Sequence, residues 1–171
     1  MNPADADTRG PECGAATEGD AGARLPSHHD YCYVCGPNNP AAADITLRRN
    51  TNQIIGEVEL NRRHQGVPGL AHGGVIAALV DEAAGSLLIA QGLRFVTARL
   101  DVEYISPVPI GQPLTITASL DQSNGRKHTV ITELRSGTTL LATGRALFIT
   151  VPIDHFTSLG VPRGTFPHFG L

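Results

Sequence analysis

Polar and apolar residues alternate along much of the second half of the chain. Side chains of alternating character occupy residues 100–104, 114–120 and 128–135, which is typical of strands that bury one face. Residues 140–151 are apolar on both faces, as expected of a strand that is covered on both sides. The turn-forming pair Asn124-Gly125 lies between two of these segments. The pattern therefore predicts four consecutive antiparallel strands.

The first half of the chain contains a helix and two further strand candidates. Residues 75–91 are apolar nearly all round and are followed by Gly92, which predicts a buried helix that ends there. Residues 45–49 and 54–60 have the composition of short strands, and a loop broken by Gly and Pro occupies 61–74. We therefore expect an α+β fold in which an antiparallel sheet of five to six strands wraps a long central helix.

The two ends of the chain differ in composition from the middle. Residues 1–27 contain no aromatic residue and many Ala, Gly, Asp and Pro, so they cannot bury enough apolar surface to offset their ordering entropy. We predict that they form a disordered tail. Residues 152–171 combine prolines with phenylalanines and are expected to form an irregular strap on the surface of a domain that spans 28–151.

The balance of charge argues against several classes of partner. Thirteen Lys and Arg against sixteen Asp and Glu give a net charge of −3 without a basic cluster, so nucleic-acid binding, which needs clustered cations, is not predicted. No apolar run reaches the ~20 residues of a membrane-spanning helix, and the N-terminus lacks the pattern of a signal peptide. Three cysteines do not make a disulfide framework. We expect a cytoplasmic protein.

The entrance to the predicted helix has the composition of an anion-binding site. Gly73 and Gly74 lie where the loop meets the helix, so their N–H groups have no acceptor within the helix. Without side chains they allow a ligand to approach closely, and the positive end of the helix dipole attracts a polarised oxygen. Such N–H groups can form the oxyanion hole of an acyl-transfer enzyme. The alternative is that these glycines only permit a tight turn.

Asp81 is an acidic residue on an otherwise apolar helix. The residues three and four positions away are all Ala or Gly, which leaves room for a second chain or a substrate. Buried carboxylates often have the raised pKa that suits a general base. The alternative is a structural Asp that hydrogen-bonds a neighbouring loop. Glu82 points about 100° away around the helix, and we expect it to be solvated or to lie at an interface.

Two segments carry a family resemblance. Residues 64–74 (HQGVPGLAHGG) run into the helix that bears Asp81, and Tyr104-Ile105-Ser106-Pro107 follows later. They resemble the signature of PaaI-like hotdog thioesterases, and the similarity extends across roughly residues 30–151. The nine-residue spacing from His72 to Asp81 belongs to it. The resemblance implies a hotdog fold and an acyl-CoA thioesterase that releases a free acid and CoA.

The same resemblance implies roles for individual residues. The Gly73 N–H would polarise the thioester carbonyl, and Asp81 would act as a general base on water or as the nucleophile. Thr97 matches a position that helps to orient the attack, and His72 would support the loop or reach the sulfur side of the thioester. Some relatives carry Asn where this chain has Gly66, so a contact from that side chain is missing here. No cofactor is implied.

The resemblance also implies a binding site for CoA. Arg126 and Lys127 correspond to positions that contact the CoA moiety in relatives, and two cations at the start of a hairpin strand suit its phosphates. The alternative is a solvated turn. Glu103 and Ile105 fall on the strand end that lines the pantetheine groove in similar proteins.

The segment HHDYCYVCG, residues 28–36, raises the question of a metal site. Cys32 and Cys35 have the spacing of a zinc knuckle, with His28 and His29 close by. No second pair of ligands follows, and ligands so close in sequence rarely complete a tetrahedron within one chain. We therefore expect no metal here and predict a structural segment packed beside the sheet.

Two other functions are compatible with the sequence. A hotdog dehydratase or hydratase acting on a 3-hydroxyacyl thioester would pair a loop histidine such as His64 with Asp81 or Glu82. A non-catalytic acyl-CoA binding module is the other, although an intact Asp81 argues against it. The acyl chain preferred and the pathway are not determined by the sequence.

The helix spacing predicts a homodimer or a dimer of dimers. Eight residues of helix rise about 12 Å, so Gly73 and Asp81 of one chain are too far apart to meet at one thioester carbon. Two antiparallel helices around a two-fold axis would bring Gly73 of one chain to Asp81 of the other.

Overall fold

Six antiparallel strands form one sheet around a long helix in the computed structural model, which describes residues 22–162. Two short strands pair separately in the loop before the helix. The predicted α+β fold, with one long helix and five to six strands, is confirmed. The elements in chain order are β1 (Thr46–Asn50), β2 (Gln53–Glu59), β3 (Gln65–Val67), β4 (Leu70–Ala71), α1 (Gly73–Ile89), β5 (Phe95–Tyr104), β6 (Pro113–Asn124), β7 (Lys127–Ser136), β8 (Thr139–Thr150) and α2 (Ile153–Ser158).

The strands lie in the order β1-β2-β6-β7-β8-β5 across the sheet. Tight turns join β6 to β7 and β7 to β8, and Gly125 and Gly137 occupy them with φ of 56° and 55°, a conformation that favours glycine. Among the residues described, no tight turn joins β2 to β5. The chain passes from β2 through α1 to β5, which lies at the opposite edge of the sheet, beyond β6, β7 and β8. In the described part of the chain, β5 therefore pairs only with β8, and its other edge is open.

Helix α1 contacts all six strands of the sheet, which explains why its sequence is so apolar. Leu79, Val80 and Leu88 of the helix are fully buried, as are Ile116 and Phe148 of the strands. The helix approaches β8 very closely at one glycine. A Cβ at Gly144 would overlap Val80 of the helix and Thr132 of β7, so only a residue without a side chain fits.

A β-bulge in β5 decides which of its side chains face the helix. The pairing with β8 shifts between Thr97 and Arg99, which leaves Ala98 as the extra residue. In a regular strand, Thr97 and Tyr104 would point to opposite faces because they are seven positions apart, and side-chain direction alternates with every position. Both nevertheless hydrogen-bond to residues of α1. The bulge therefore gathers side chains from both halves of β5 onto the helix.

The ends of the described chain differ in part from the prediction. Backbone hydrogen bonds of 2.7 and 2.8 Å attach residues 22–25 to β1, so the predicted disorder of residues 1–27 is wrong there, while residues 1–21 lie outside the described part. The strap predicted over 152–171 begins as the short helix α2 rather than as irregular chain. The rest of it, 163–171, also lies outside the described residues.

None of the helices within residues 22–162 has the length and apolar character that crossing a bilayer requires.

Candidate active site

His72 caps the N-terminus of α1 and orders its first turn. The His72 Nδ1 atom accepts a hydrogen bond of 2.9 Å from the Gly74 N–H, so Nε2 is the ring nitrogen left to donate when the ring is neutral. In this geometry the His72 ring lies against the turn at the start of α1. The amide of Gly74 is thereby occupied by a side chain outside the helix, whereas the sequence predicted only that neither glycine amide has an acceptor within it.

The Gly73 amide is the donor that remains at the start of the helix. Within the described residues it has no hydrogen-bond acceptor, and Gly73 is exposed. Tyr104 lies beside it, and its hydroxyl donates a hydrogen bond of 2.9 Å to the Gly73 carbonyl. This carbonyl belongs to the Gly73–Gly74 peptide, so the phenol holds the first turn of the helix next to the peptide that carries the Gly73 N–H, and that N–H is left to donate to a ligand oxygen.

The loop before the helix packs against the same histidine. A Cβ at Gly66 would lie 3.1 Å from His72 Cα and 3.2 Å from its Cδ2, so a larger residue here would push on the capping ring. The Gln65 side chain accepts a hydrogen bond from the Gly69 N–H within its own hairpin. It therefore serves the loop and does not reach toward the Gly73 amide.

Asp81 lies farther along α1 and is held by β5. Thr97 Oγ1 donates a hydrogen bond of 3.0 Å to Asp81 Oδ1. Partial burial raises the pKa of Asp81 above its usual value, the hydrogen bond from Thr97 lowers it, and the nearby Cys32 raises it further. The net rise in pKa is the property expected of a general base.

A pocket of about 360 Å³ opens beside Asp81. This volume is within the range of small-molecule sites, about 300–1,000 Å³. Its wall is mostly apolar, with the two carboxylates of Asp81 and Glu82 as acidic members. The lining residues are His28, Cys32, Tyr33, Val34, Ala78, Asp81, Glu82, Gly85, Ser86, Ile89, Phe95, Phe148 and Phe156.

The two halves of the site are separate within one chain. Gly73 begins α1 and Asp81 is eight residues later, a rise of about 12 Å. The face of the helix between them carries Ala77 and Ala78, which are only partly buried. This face and the open edge of β5 lie together, so the described chain leaves room for another molecule between Gly73 and Asp81.

The residues expected to bind CoA form two groups, which lie near opposite ends of β5. Lys127 pairs with Ile149, which in turn pairs with Val96, so Lys127 is two strands, or about 10 Å, from the Thr97 end of β5. Arg126 is exposed, and its Nε atom donates to the Thr150 carbonyl at 2.9 Å.

Glu103 and Ile105 lie instead at the far end of β5, beside Tyr104 and near the Gly73 end of the helix. Both are exposed, Ile105 to 46%. An apolar side chain this exposed is suited to contact with a ligand or a second chain.

A compact group of titratable side chains lies next to Asp81. The His28 Nδ1 atom is 3.4 Å from Glu82 Oε1 and 3.4 Å from Cys35 Sγ, and Cys32 Sγ is 3.4 Å from Glu82 Oε2. Hydrogen bonds to Cys32 and then to Glu82 raise the pKa of His28 to about 10. The Glu82 side chain is 8% exposed, so of the two alternatives predicted for it, solvated or at an interface, the first is wrong.

Two features were missed by reasoning from the sequence. Tyr104 was part of a quoted motif but received no role, because its contact with Gly73 depends on the bulge in β5. Glu82 was expected to be solvated or to lie at an interface, and it was not connected with the histidine and cysteine segment, which ends 46 positions earlier at Gly36. An unpaired acid on an apolar helix was the available signal, since such a group needs a partner when buried.

The comparisons with known proteins agree with the fold. The thioesterase superfamily model matches residues 68–143. Acyl-coenzyme A thioesterase THEM4 of Mus musculus is 37% identical over 87 residues, which is 50% of this chain and 37% of the relative. Acyl-coenzyme A thioesterase 13 of the same species is 30% identical over 97 residues, covering 54% of this chain and 69% of the relative.

The crystal structure of the thioesterase superfamily protein RHA08564 superposes with a TM-score of 0.67 and is 33% identical, over 70% of this chain and 60% of that one. This chain belongs to the thioesterase superfamily, and the predicted hotdog fold is confirmed. The matched region spans well under half the length of the THEM4 relatives, 37% and 40% in mouse and rat.

Proposed function

We propose that this chain hydrolyses acyl-CoA thioesters to a free acid and CoA, with Asp81 as the catalytic carboxylate. The observation that supports this most directly is the Thr97–Asp81 hydrogen bond of 3.0 Å at the edge of an apolar pocket. Membership of the thioesterase superfamily and the resemblance to named acyl-coenzyme A thioesterases point to the same reaction.

In the general-base form of the reaction, Asp81 takes a proton from a water molecule as the water oxygen attacks the thioester carbonyl carbon. The negative charge that develops on the carbonyl oxygen is stabilised by the Gly73 N–H at the positive end of a helix. Collapse of the intermediate breaks the carbon–sulfur bond, and the CoA sulfur receives the proton from Asp81. In the nucleophilic form, an Asp81 oxygen attacks the carbonyl carbon, the carbon–sulfur bond breaks and CoA leaves as the thiolate, which gives a mixed anhydride. Water then hydrolyses the anhydride to the free acid and the Asp81 carboxylate, and the proton that this releases is taken up by the CoA thiolate.

Thr97 and His72 act in support of these two groups. The Thr97 hydroxyl fixes one oxygen of the Asp81 carboxylate, so the other oxygen is presented to the water or to the substrate. His72 holds the first turn of α1 through Gly74, and its Nε2–H is available to the sulfur side of the thioester.

Each active site is proposed to lie between two chains. The ~12 Å rise from Gly73 to Asp81 prevents one chain from supplying both groups to one carbon. The open edge of β5 carries exposed residues next to the half-buried alanines of α1, and edge strands of this kind pair readily with another strand. A two-fold pairing of β5 would bring Gly73 of one chain to Asp81 of its partner. The assembly would be a homodimer or a dimer of dimers.

The CoA moiety is proposed to bind with its phosphates near Arg126 and Lys127. The pantetheine arm would follow β5, where Glu103 and Ile105 are exposed at the far end. Arg126 and Lys127 lie near one end of β5, whereas Glu103 and Ile105 lie at its other end. In the two-chain site, one chain would supply the first group and its partner would supply the second, so that together they complete the CoA-binding groove. A cytoplasmic location remains a prediction from the sequence.

The reaction is tested by measuring thiol release from a panel of acyl-CoA substrates beside the hydration of crotonyl-CoA. Thiol release that is lost in Asp81→Asn supports hydrolysis. Hydration without thiol release would identify a hydratase, and tight binding of acyl-CoA without either product would identify a binding module.

The geometry does not favour the hydratase. That reaction needs His64 beside Asp81 or Glu82. The His64 ring is 4% exposed and its Nδ1 accepts from the Asn61 amide, while Glu82 contacts His28 and Cys32. The loop histidine and the helical acids therefore have other partners.

A further inference from the structure

Four potential metal ligands meet where the segment before β1 contacts α1. His28, Cys32 and Cys35 come from that segment, and Glu82 comes from the helix. One ligand atom from each residue lies within 4.8 Å of the others. We propose that these four residues bind one zinc ion, which fastens the N-terminal segment to the helix.

The distances between the ligand atoms fit a tetrahedral ion. Zinc is bound at about 2.3 Å by thiolate sulfur and about 2.0–2.1 Å by imidazole nitrogen or carboxylate oxygen, so the edges of its tetrahedron measure about 3.3–3.8 Å. The His28–Glu82, His28–Cys35 and Cys32–Glu82 atom pairs are each separated by 3.4 Å. Three of the six edges of the proposed tetrahedron therefore have lengths that a zinc ion requires.

The donor set and its burial also favour a cation. The Oε1 atom of Glu82 is buried and has no hydrogen-bond partner among the described residues, and its ion-pair contact with His28 Nδ1 is 3.4 Å long. A bound cation would compensate the charge of this buried carboxylate directly. Two thiolates, one imidazole and one carboxylate suit zinc better than a hard cation such as magnesium or calcium, which prefers oxygen ligands. Four protein ligands leave no open coordination position, so the site is structural rather than catalytic.

The local backbone is built to present the two cysteines together. The Val34 N–H points at Cys32 Sγ with a separation of 3.4 Å, a contact that orients the sulfur and stabilises negative charge on it. At Gly36 a Cβ would lie 2.6 Å from the Cys32 carbonyl oxygen and 2.7 Å from that of Asp30. Glycine is therefore required for the tight turn that follows the second cysteine.

The ion would join the segment before β1 to α1, next to the pocket beside Asp81. Glu82 follows Asp81, and both His28 and Cys32 line the pocket beside it. Zinc would thus hold one wall of that pocket against the helix. This consequence rests on the proposed function, whereas the metal site itself does not.

The first test is the metal content of the full chain, purified from zinc-supplemented cells without chelator. We expect one equivalent of zinc per chain by elemental analysis. Cys32→Ser and Cys35→Ser should lose it, and Cys13→Ser, which changes the remaining cysteine of the chain, should keep it. Zinc retained equally in all three variants would overturn the assignment.

The second test uses the unmodified chain and so does not depend on the variants folding. A strong chelator should lower Tm by roughly 5–10 °C, and zinc should restore it. Cobalt(II) added to the stripped chain should give a thiolate-to-cobalt charge-transfer band and the strong visible bands of a tetrahedral site. Glu82→Gln should weaken cobalt binding at least tenfold.

Two outcomes of these measurements would refute the zinc site. One is a folded chain that contains no zinc after purification and shows no thiolate–cobalt band. The other is a Cys32–Cys35 disulfide in the folded protein that excludes the metal. All of these readouts are independent of thioester hydrolysis, so a failure of the proposed function would leave them unaffected.

Discussion

Thr97 Oγ1 donates a hydrogen bond of 3.0 Å to Asp81 Oδ1, which joins the open edge strand of the sheet to the central helix. The bulge at Ala98 makes this bond compatible with the contact that Tyr104 makes with Gly73. Both proposed catalytic groups of α1 are thus held by β5, the strand whose other edge is open to a second chain.

Asp81→Asn should reduce kcat for acyl-CoA hydrolysis by at least about 10²-fold, because a positioned general base contributes about 10²–10⁴-fold. The change is nearly isosteric, so the circular dichroism spectrum and Tm should stay close to those of the unmodified chain. Asp121→Asn is the matched control, since Asp121 pairs with Arg145 on the sheet. Near-normal hydrolysis by folded Asp81→Asn would remove Asp81 from the mechanism.

Thr97→Val should lower kcat about tenfold with little change in KM, because a hydrogen bond to a charged group contributes about 1.5 kcal/mol. Thr97→Ser keeps the hydroxyl and should restore most of the rate. A Thr97→Val protein that is as fast as the unmodified chain would show that the hydrogen bond to Asp81 does not contribute to the rate.

Replacing Arg126 and Lys127 with Ala should raise KM for CoA thioesters and leave kcat nearly unchanged, because phosphate contacts are remote from the bond that breaks. A pantetheine thioester without the nucleotide should be affected much less. Arg48→Ala provides a control at an exposed cation whose side chain contacts the Gly22 carbonyl. Equal effects on both substrates would show that Arg126 and Lys127 do not bind the nucleotide.

Gly73→Pro and Asp81→Asn should complement each other in mixed dimers. Proline is compatible with the first position of a helix, and the extended conformation of His72 (φ −69°, ψ 136°) is one that a residue before proline adopts. Each variant alone should be inactive, whereas equal co-refolding should restore about one quarter of the sites, because half the dimers are mixed and each has one intact site. Mixed dimers that form without activity would exclude the shared site.

Gly144→Ala should destabilise the fold by about 1–3 kcal/mol, the usual range for overpacking a core. The added methyl group would overlap Val80 and Thr132, so the helix must move away from β8. Thr139→Ala, at an exposed position of the same strand, should change stability by less than about 0.5 kcal/mol. Urea unfolding of both variants makes the comparison, and a Gly144→Ala protein as stable as the control would contradict close packing there.

The sequence by itself was sufficient for the order and type of the elements. Alternation over 114–120 and 128–135 predicted strands that bury one face, and the structure has strands there. The apolar run that ends near Gly92 predicted a buried helix, which is α1. These signals are local, because side-chain direction repeats every two residues in a strand and every 3.6 in a helix.

The tertiary structure alone decided which chemical groups meet. Thr97 and Tyr104 both face α1 only because of the bulge at Ala98. The alternation of polar and apolar residues does not reveal this bulge, because the extra residue leaves the composition of the strand typical of a strand. Cys32 contacts Glu82, which lies 50 residues farther along the chain. The helix turns Glu82 toward the segment and Asp81 toward β5. Such contacts depend on how the helix is rotated against the sheet, and packing across the whole core fixes that rotation.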